Sequence, residues 1–302
     1  MTADTAALTL TDGGIETVLL FHDGFDLPCF AAFPLLEDPD GRAALRRYFE
    51  GFLDTAQELG TPFVLDTATW RANPDWGAQL GYDRDALAAV NVEAVAFARE
   101  LAGDRPAVSI NGTIGPRGDG YVVGDRMTGD EAAAYHGWQI GVFADAGTDR
   151  VTALTLSYPD EAVGFVRAAA DVGMPVVPSF TVETDGRLPD GTPVAEAIAR
   201  VDDATGGAAL FFGLNCAHPT HVAAGLGDAP ELARIGGLRM NASALSHEEL
   251  DAAEELDAGD PVELAGATTA LRERLPSVTQ LGGCCGTDVR HVRLLAEVWT
   301  AA

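Results

Sequence analysis

The sequence predicts a single α/β domain of the (β/α)8, or TIM, barrel class that spans residues 1–302. Helical patterns alternate with short apolar runs along the whole chain, which is typical of βα units on a parallel sheet. Eight such units in about 300 residues match a closed barrel, and an open doubly wound sheet is the alternative. Five of the helical patterns end at a glycine, which adopts the left-handed conformation at low cost. These glycines are Gly60, Gly103, Gly147, Gly173 and Gly206.

Each element follows from its own local pattern. Apolar residues from Gly41 to Leu59 recur three and four positions apart, which predicts a helix, and the apolar run Pro62–Asp66 after Gly60 predicts a strand. The same reasoning gives the remaining elements. The predicted strands are 9–14 (with its glycine turn), 62–66, 107–110, 151–156, 175–182, 209–214, 235–240 and 278–281, and the predicted helices are 41–59, 87–101, 127–146, 162–172, 194–205, 219–232, 262–275 and 288–300. The acidic, alanine-rich stretch 243–260 is expected to be an insertion in the seventh loop.

Composition excludes several classes of function. The net charge of −27 argues against a nucleic-acid partner and disfavours anionic membranes. The chain has no lysine, which excludes Schiff-base aldolase and pyridoxal-phosphate chemistry. No apolar run is long enough to span a membrane, and the N-terminus lacks the pattern of a secretion signal. Four cysteines, two of them adjacent, do not form a disulfide framework, so we expect a cytoplasmic protein.

Three of the four cysteines lie in two glycine-containing stretches that each follow a predicted strand. Cys216 ends the stretch 213–216 after strand six, and Cys284 and Cys285 lie within 281–287 after strand eight. The carboxyl ends of barrel strands meet on one face, so these sulfurs are expected to converge. Three thiolates with one open position are a ligand set suited to catalytic zinc. The sequence therefore predicts a Zn²⁺ site.

A zinc centre with three thiolates favours one kind of chemistry over others. Coordination removes the proton of a bound thiol and leaves an electron-rich sulfur, whereas water activation is usual with histidine or carboxylate ligands. A hydrolase or lyase that uses His218, His221 or Asp66 as base remains an alternative. A redox or zinc-sensing protein that switches at Cys284 and Cys285 is a further alternative, and a closed structural zinc would need His218 or His221 as its fourth ligand.

Several motifs together resemble the homocysteine S-methyltransferase family. The most specific are the paired cysteine stretches 213–216 and 282–287, preceded by Asp12-Gly13-Gly14. Weaker similarities extend along the whole chain. They are 67–70 after strand two, 112–116 after strand three, 179–181 with 185–188 after strand five, and Asn241 at the end of strand seven.

The resemblance implies a zinc-dependent barrel enzyme that methylates a small-molecule thiol. It implies Cys216, Cys284 and Cys285 as zinc ligands, no catalytic residue beyond the zinc site, and homocysteine as acceptor, giving methionine. The donor would be a sulfonium or ammonium cation such as S-methylmethionine, S-adenosylmethionine or betaine. The expected substrate-binding residues are Asp12, Gly13, Gly14, Glu16, Asp66, Trp70, Asn215 and Asn241. The chain would act as a monomer or homo-oligomer.

Three departures from the family pattern concern the acceptor. Leu156 stands where the family has a glutamate that holds the homocysteine ammonium, and leucine cannot accept that hydrogen bond. Glu16 stands where glycine is usual and could take over the ammonium. Ala68 and Trp70 replace asparagine and tyrosine. The acceptor therefore stays open between homocysteine and another thiol or selenol.

Overall fold

The computed structural model describes residues 8–105 and 107–302, in which eight parallel strands form a closed barrel in sequence order. β1 pairs with both β2 and β8, which closes the sheet. The strands are β1 Thr9–Leu10, β2 Phe63–Asp66, β3 Val108–Ile114, β4 Arg150–Leu156, β5 Val176–Phe180, β6 Phe212–Asn215, β7 Ile235–Met240 and β8 Gln280–Gly283. The predicted (β/α)8 barrel is confirmed. The predicted domain also includes residues 1–7 and 106, which lie outside the described residues.

One principal helix follows each strand and packs on the outside of the barrel. These helices are α1 Pro39–Leu59, α2 Arg84–Ala102, α3 Gly129–Ala146, α4 Pro159–Asp171, α5 Val194–Thr205, α6 Pro219–Gly225, α7 Pro261–Ala270 and α8 Val289–Ala301. Their apolar faces and the strands form one continuous core. Across residues 8–105 and 107–302, every helix is too short or too polar to cross a membrane.

The residues at the helix ends explain why the positions of several helices could be predicted. Gly60, Gly147 and Gly206 adopt the left-handed conformation at the ends of α1, α3 and α5, with φ of +64°, +80° and +64°. At the start of α3, Thr128 and Glu131 form a reciprocal capping box, which satisfies amide groups that have no partner within the helix. The local sequence thus specifies where these helices begin and end.

One predicted helix was wrong in length. The expected helix 219–232 ends at Gly225 and is followed by a separate 3-10 turn, Pro230–Arg234. Gly225 lies against Gly186, and a Cβ on Gly225 would come within 2.1 Å of the Gly186 carbonyl oxygen. Backbone contact with the loop after β5 therefore fixes the end of this helix. The periodicity of apolar residues along the chain could not predict such a contact.

Other differences concern the loops and strand bounds. β3 extends to Ile114 and β6 begins only at Phe212, whereas the sequence predicted 107–110 and 209–214. Short helices that were not predicted occur in loops on the carboxyl face, at Ile15–Thr17, Pro74–Gln79 and His247–Asp251. The last of these lies in the stretch 243–260, which is a loop after β7, as expected.

Candidate functional site

The three cysteines singled out from the sequence converge at the carboxyl face of the barrel. The sulfur atoms of Cys216, Cys284 and Cys285 all lie within 4.8 Å of one another. The Cys216 and Cys285 sulfurs are 3.5 Å apart, and all four cysteines of the chain are free thiols. Three sulfurs at this spacing can share one metal ion, with Cys216 supplied after β6 and the adjacent pair after β8.

The backbone of Cys216 is held on several sides. Cys216 has a left-handed φ of +56°, which is costly for a residue with a side chain. Its amide donates to the Arg239 carbonyl at 3.0 Å, and its carbonyl accepts from Thr181 at 3.3 Å and contacts His247 Nε2 at 2.6 Å. These bonds between neighbouring elements keep the Cys216 thiol pointed at the other two.

The glycines of the first motif make room for the second pair of thiols. A Cβ on Gly14 would come within 2.5 Å of the Cys284 carbonyl oxygen, and one on Gly13 within 2.8 Å of the Thr287 carbonyl oxygen. Their amide groups are already engaged: Gly13 donates to the Tyr48 hydroxyl at 3.1 Å and Gly14 to the Thr287 carbonyl at 3.0 Å. These glycines therefore let β1 approach the cysteine loop, and their role in binding substrate stays a prediction.

Hydrogen bonds between the thiols shift their pKa values in opposite directions. Hydrogen bonds from Cys284 and Cys285 hold the pKa of Cys216 well below its usual range. The donated hydrogen bond to Cys216 in turn raises the pKa of Cys284 to about 12, and the pKa of Cys285 also lies well above its usual value. Like charges this close disfavour one another, so all three sulfurs ionise together only around a shared cation. The donor set therefore fits zinc.

Tyr121, which the sequence analysis missed, covers the thiols. Its hydroxyl lies 2.9 Å from the Cys216 sulfur and 4.0 Å from the Cys285 sulfur, and its ring lies against His247 with centroids 4.4 Å apart. Tyr121 belongs to the irregular loop between β3 and α3. That loop has no periodic pattern from which the position of its side chains could be predicted.

A cavity opens beside Cys284 and Cys285, and most of the predicted substrate residues line it. Those that do are Asp12, Gly13, Gly14, Glu16, Asp66 and Trp70. Tyr121, Leu154 and Thr155 also contribute to its wall. The cavity is therefore where a molecule could approach the sulfurs.

In the cavity wall, Asp12 and Asp66 are bridged by a buried arginine that the sequence analysis missed. The Arg239 guanidinium forms ion pairs with both carboxylates, and its Nε donates to the Gly283 carbonyl at 3.1 Å. Asp66 also accepts from Asn111 at 2.6 Å. Burial raises the pKa of Asp12 to about 7, although Arg239 opposes the shift. An arginine inside the otherwise apolar run 235–240 is the sequence signal that could have revealed this ion triad.

Glu16 is the cavity carboxylate without an ion pair. In the part of the chain that the structure describes, no basic side chain lies within 4.0 Å of its carboxylate. Burial, together with the negative potential of Cys284 and Asp12, raises its pKa to about 8. A cationic ligand would favour its charged form.

The end of β4 supplies no carboxylate to the cavity. Leu156 is fully buried in the hydrophobic core, and the cavity wall is formed by Leu154 and Thr155. Thr155 has a left-handed φ of +65°, and the pairing with β5 shifts register at this point. The register shift coincides with the burial of Leu156 in the core.

The two predicted asparagines lie outside the cavity wall. Asn215 accepts from the Thr155 amide at 2.9 Å and from Ser179 at 2.7 Å, and it donates to the Thr155 hydroxyl at 3.1 Å. It thereby ties β4, β5 and β6 together below the thiols. The Asn241 side-chain oxygen is buried without a hydrogen-bond partner. Contact of either residue with substrate stays a prediction.

The histidines considered as alternative ligands or bases are elsewhere. His218 caps the start of α6 through the Thr220 amide, and His221 contacts the Ala244 carbonyl at 3.0 Å. Among the described residues, the potential ligand group at the thiols contains cysteines alone, and neither histidine lines the cavity. Asp66, the other candidate base, is occupied by Arg239 and Asn111.

Comparisons with known proteins agree with this geometry. The family model described as homocysteine S-methyltransferase matches residues 9–299. The metallated form of the homocysteine methyltransferase MmuM from Escherichia coli is similar, with a TM-score of 0.73, 21% identity, and coverage of 99% of this chain and 98% of that one. Its oxidized form gives a TM-score of 0.73, 20% identity and coverage of 98% and 97%. No curated protein matches the sequence.

Proposed function

Because this chain belongs to the homocysteine S-methyltransferase family, we propose that it is a zinc-dependent enzyme that moves a methyl group from a sulfonium or ammonium donor to a thiol. The convergence of Cys216, Cys284 and Cys285 carries the proposal. Zinc bound there would keep the acceptor sulfur deprotonated and nucleophilic at neutral pH.

The residues around the sulfurs have distinct roles in this proposal. Tyr121 is placed to donate a hydrogen bond to sulfur and to exclude water from above. Arg239 holds the Gly283 carbonyl and so fixes the loop that carries the adjacent cysteines. The acceptor sulfur then attacks the donor methyl group in line, the methyl–sulfur or methyl–nitrogen bond breaks, and the donor leaves with the bonding electrons as a neutral thioether or amine.

Glu16 is the residue through which we propose that the site recognises a cation. It lines the cavity without an ion pair, so it can accept the ammonium of homocysteine in place of the glutamate missing at Leu156. S-methylmethionine, S-adenosylmethionine and betaine remain the candidate donors. A cytoplasmic location and a monomeric or homo-oligomeric state remain predictions.

The metal requirement is tested by removing single cysteines. We expect about one zinc per chain in the purified protein, and loss of both zinc and methyl transfer in Cys284→Ser, because two thiolates do not hold the metal. Cys29→Ser is the matched control, since Cys29 lies outside the thiol cluster, and it should keep both. Zinc is measured by inductively coupled plasma mass spectrometry. A metal-free preparation that still methylates thiols would refute the proposal.

The substrates are identified by product mass. Homocysteine, selenohomocysteine and simple thiols are each incubated with S-methylmethionine, S-adenosylmethionine and betaine, and a mass gain of one methylene unit identifies acceptor and donor together. We expect methionine from homocysteine. Failure of every pair with the zinc-loaded enzyme would contradict methyl transfer.

A further inference from the structure

Arg71 is a buried cation held between two tryptophans, one of which, Trp70, lines the cavity. Its side chain is only 5% exposed. The guanidinium carbon lies 4.0 Å from the ring centroid of Trp70 and 3.9 Å from that of Trp76. Cation–π contact with two rings stabilises a guanidinium and restricts its position. The group is therefore oriented before any ligand arrives.

Arg71 lacks the anion that a buried arginine normally has. Its Nη1 donates to the Gly118 carbonyl at 3.1 Å, and its Nε is buried with no hydrogen-bond partner among the described residues. Within residues 8–105 and 107–302, no carboxylate lies within ion-pair distance of it. Burial lowers its pKa, but an arginine remains charged at neutral pH. Because an unpaired buried charge is costly, the arrangement indicates a site for an external anion.

The surroundings of Arg71 place that anion next to the cavity. Trp70, whose ring lies against the guanidinium, forms part of the cavity wall. Arg239 and the first-motif glycines, which could also bind an anion in this region, are occupied. Arg239 is paired with two aspartates, and the amides of Gly13 and Gly14 donate within the protein. Within the part of the chain that the structure describes, Arg71 is thus a cation near the cavity with an unpaired donor.

We propose that Arg71 binds the α-carboxylate of an amino-acid substrate. The inference rests on the proposed function, because it takes the ligand from the substrates of that reaction. Homocysteine and S-methylmethionine both carry an α-carboxylate. Arg71 and Glu16 together would then recognise the carboxylate and the ammonium of one zwitterion while its sulfur points toward the cysteines. This makes the site selective for amino acids over simple thiols or sulfonium ions.

The first test needs no variant. Binding of L-methionine and of its decarboxylated analogue 3-(methylsulfanyl)propylamine to the zinc-loaded enzyme is measured by calorimetry and by the fluorescence of the tryptophans. A charge-assisted hydrogen bond to the carboxylate predicts at least about tenfold weaker binding of the analogue. Equal affinities, or no saturable binding of methionine, would overturn the proposal. Because no methyl transfer is required, this outcome is independent of the activity assays.

The second test assigns the preference to Arg71 and identifies the substrate. In Arg71→Met, methionine and its decarboxylated analogue should bind with about equal affinity. Arg71→Lys should restore part of the preference for methionine. Arg84→Met is the control, because Arg84 is an exposed arginine over Trp138, and it should leave the preference unchanged. The binding of homocysteine and of S-methylmethionine is then measured with the wild type and with Arg71→Met. The substrate that loses affinity in the variant shows whether Arg71 holds the acceptor or the donor. A preference that survives in Arg71→Met would refute the assignment.

Discussion

Arg239 and Arg71 are both buried arginines near one cavity, yet their charges are compensated in opposite ways. Arg239 bonds to Asp12, Asp66 and the Gly283 carbonyl. Arg71 contacts two tryptophan rings and, among residues 8–105 and 107–302, donates a single hydrogen bond, to a backbone carbonyl. A fully paired buried charge links strands, whereas an unpaired one is available to a ligand. The difference assigns a structural role to the first and a binding role to the second.

The paired arginine also explains how the thiol loops are positioned. Arg239 lies in β7, between the strands that precede Cys216 and the adjacent cysteine pair. Its carbonyl accepts from the Cys216 amide, and its side chain reaches Gly283, next to Cys284. One residue thus contacts both cysteine stretches, so the polar interior of the barrel supports the geometry of the candidate metal centre.

The largest expected effect comes from removing the paired arginine. Arg239→Met leaves Asp12 and Asp66 buried without their cation, which predicts a loss of about 3–5 kcal/mol in the free energy of unfolding. Urea denaturation followed by circular dichroism measures it. The same change combined with Asp12→Asn and Asp66→Asn should recover part of the loss. A loss below about 1 kcal/mol in the single variant would contradict the structural role.

An intermediate effect is expected in the pH dependence of stability. The pKa of Asp12 is raised from its ordinary value of 3.8 to about 7, mainly by burial and against the effect of Arg239. The folded protein therefore retains a proton that the unfolded chain loses, so this group lowers the free energy of unfolding as pH rises from about 4 to 7. The slope is at most about 1.4 kcal/mol per pH unit.

Asp12→Asn should remove this slope, measured as the difference from the wild-type protein in denaturation series between pH 4 and 8. Arg71→Met should retain it, because arginine does not titrate in this range. Parallel pH profiles for the wild type and Asp12→Asn would show that Asp12 stays ionised beside Arg239 throughout.

The smallest expected effect is on the stability of Arg71→Met. The variant loses stacking worth about 2 kcal/mol and is relieved of an unpaired buried charge, so the two terms offset. We expect a change within about 1 kcal/mol in the free energy of unfolding, measured under the same denaturing conditions. A loss as large as that of Arg239→Met would mean that Arg71 supports the fold and would end the contrast between the two.

Much of the molecule could be predicted from the sequence because its signals are local. Helical periodicity and the glycines at positions 60, 147 and 206 located helices to within a few residues, and the alternation of strands and helices indicated the barrel. Since the carboxyl ends of parallel strands share one face, the cysteines after strands six and eight could be expected to meet. Their convergence could be predicted from the topology alone.

The tertiary structure decided the groups that surround these cysteines. The ion pair of Arg239 with Asp12 spans 227 positions in the chain, and the contact of Tyr121 with Cys216 spans 95. Tyr121 and Arg71 occupy irregular segments after β3 and β2, where no periodicity fixes the direction of a side chain. Sequence spacing reports which residues share a face of one element, but packing between distant elements determines which buried charges find a partner.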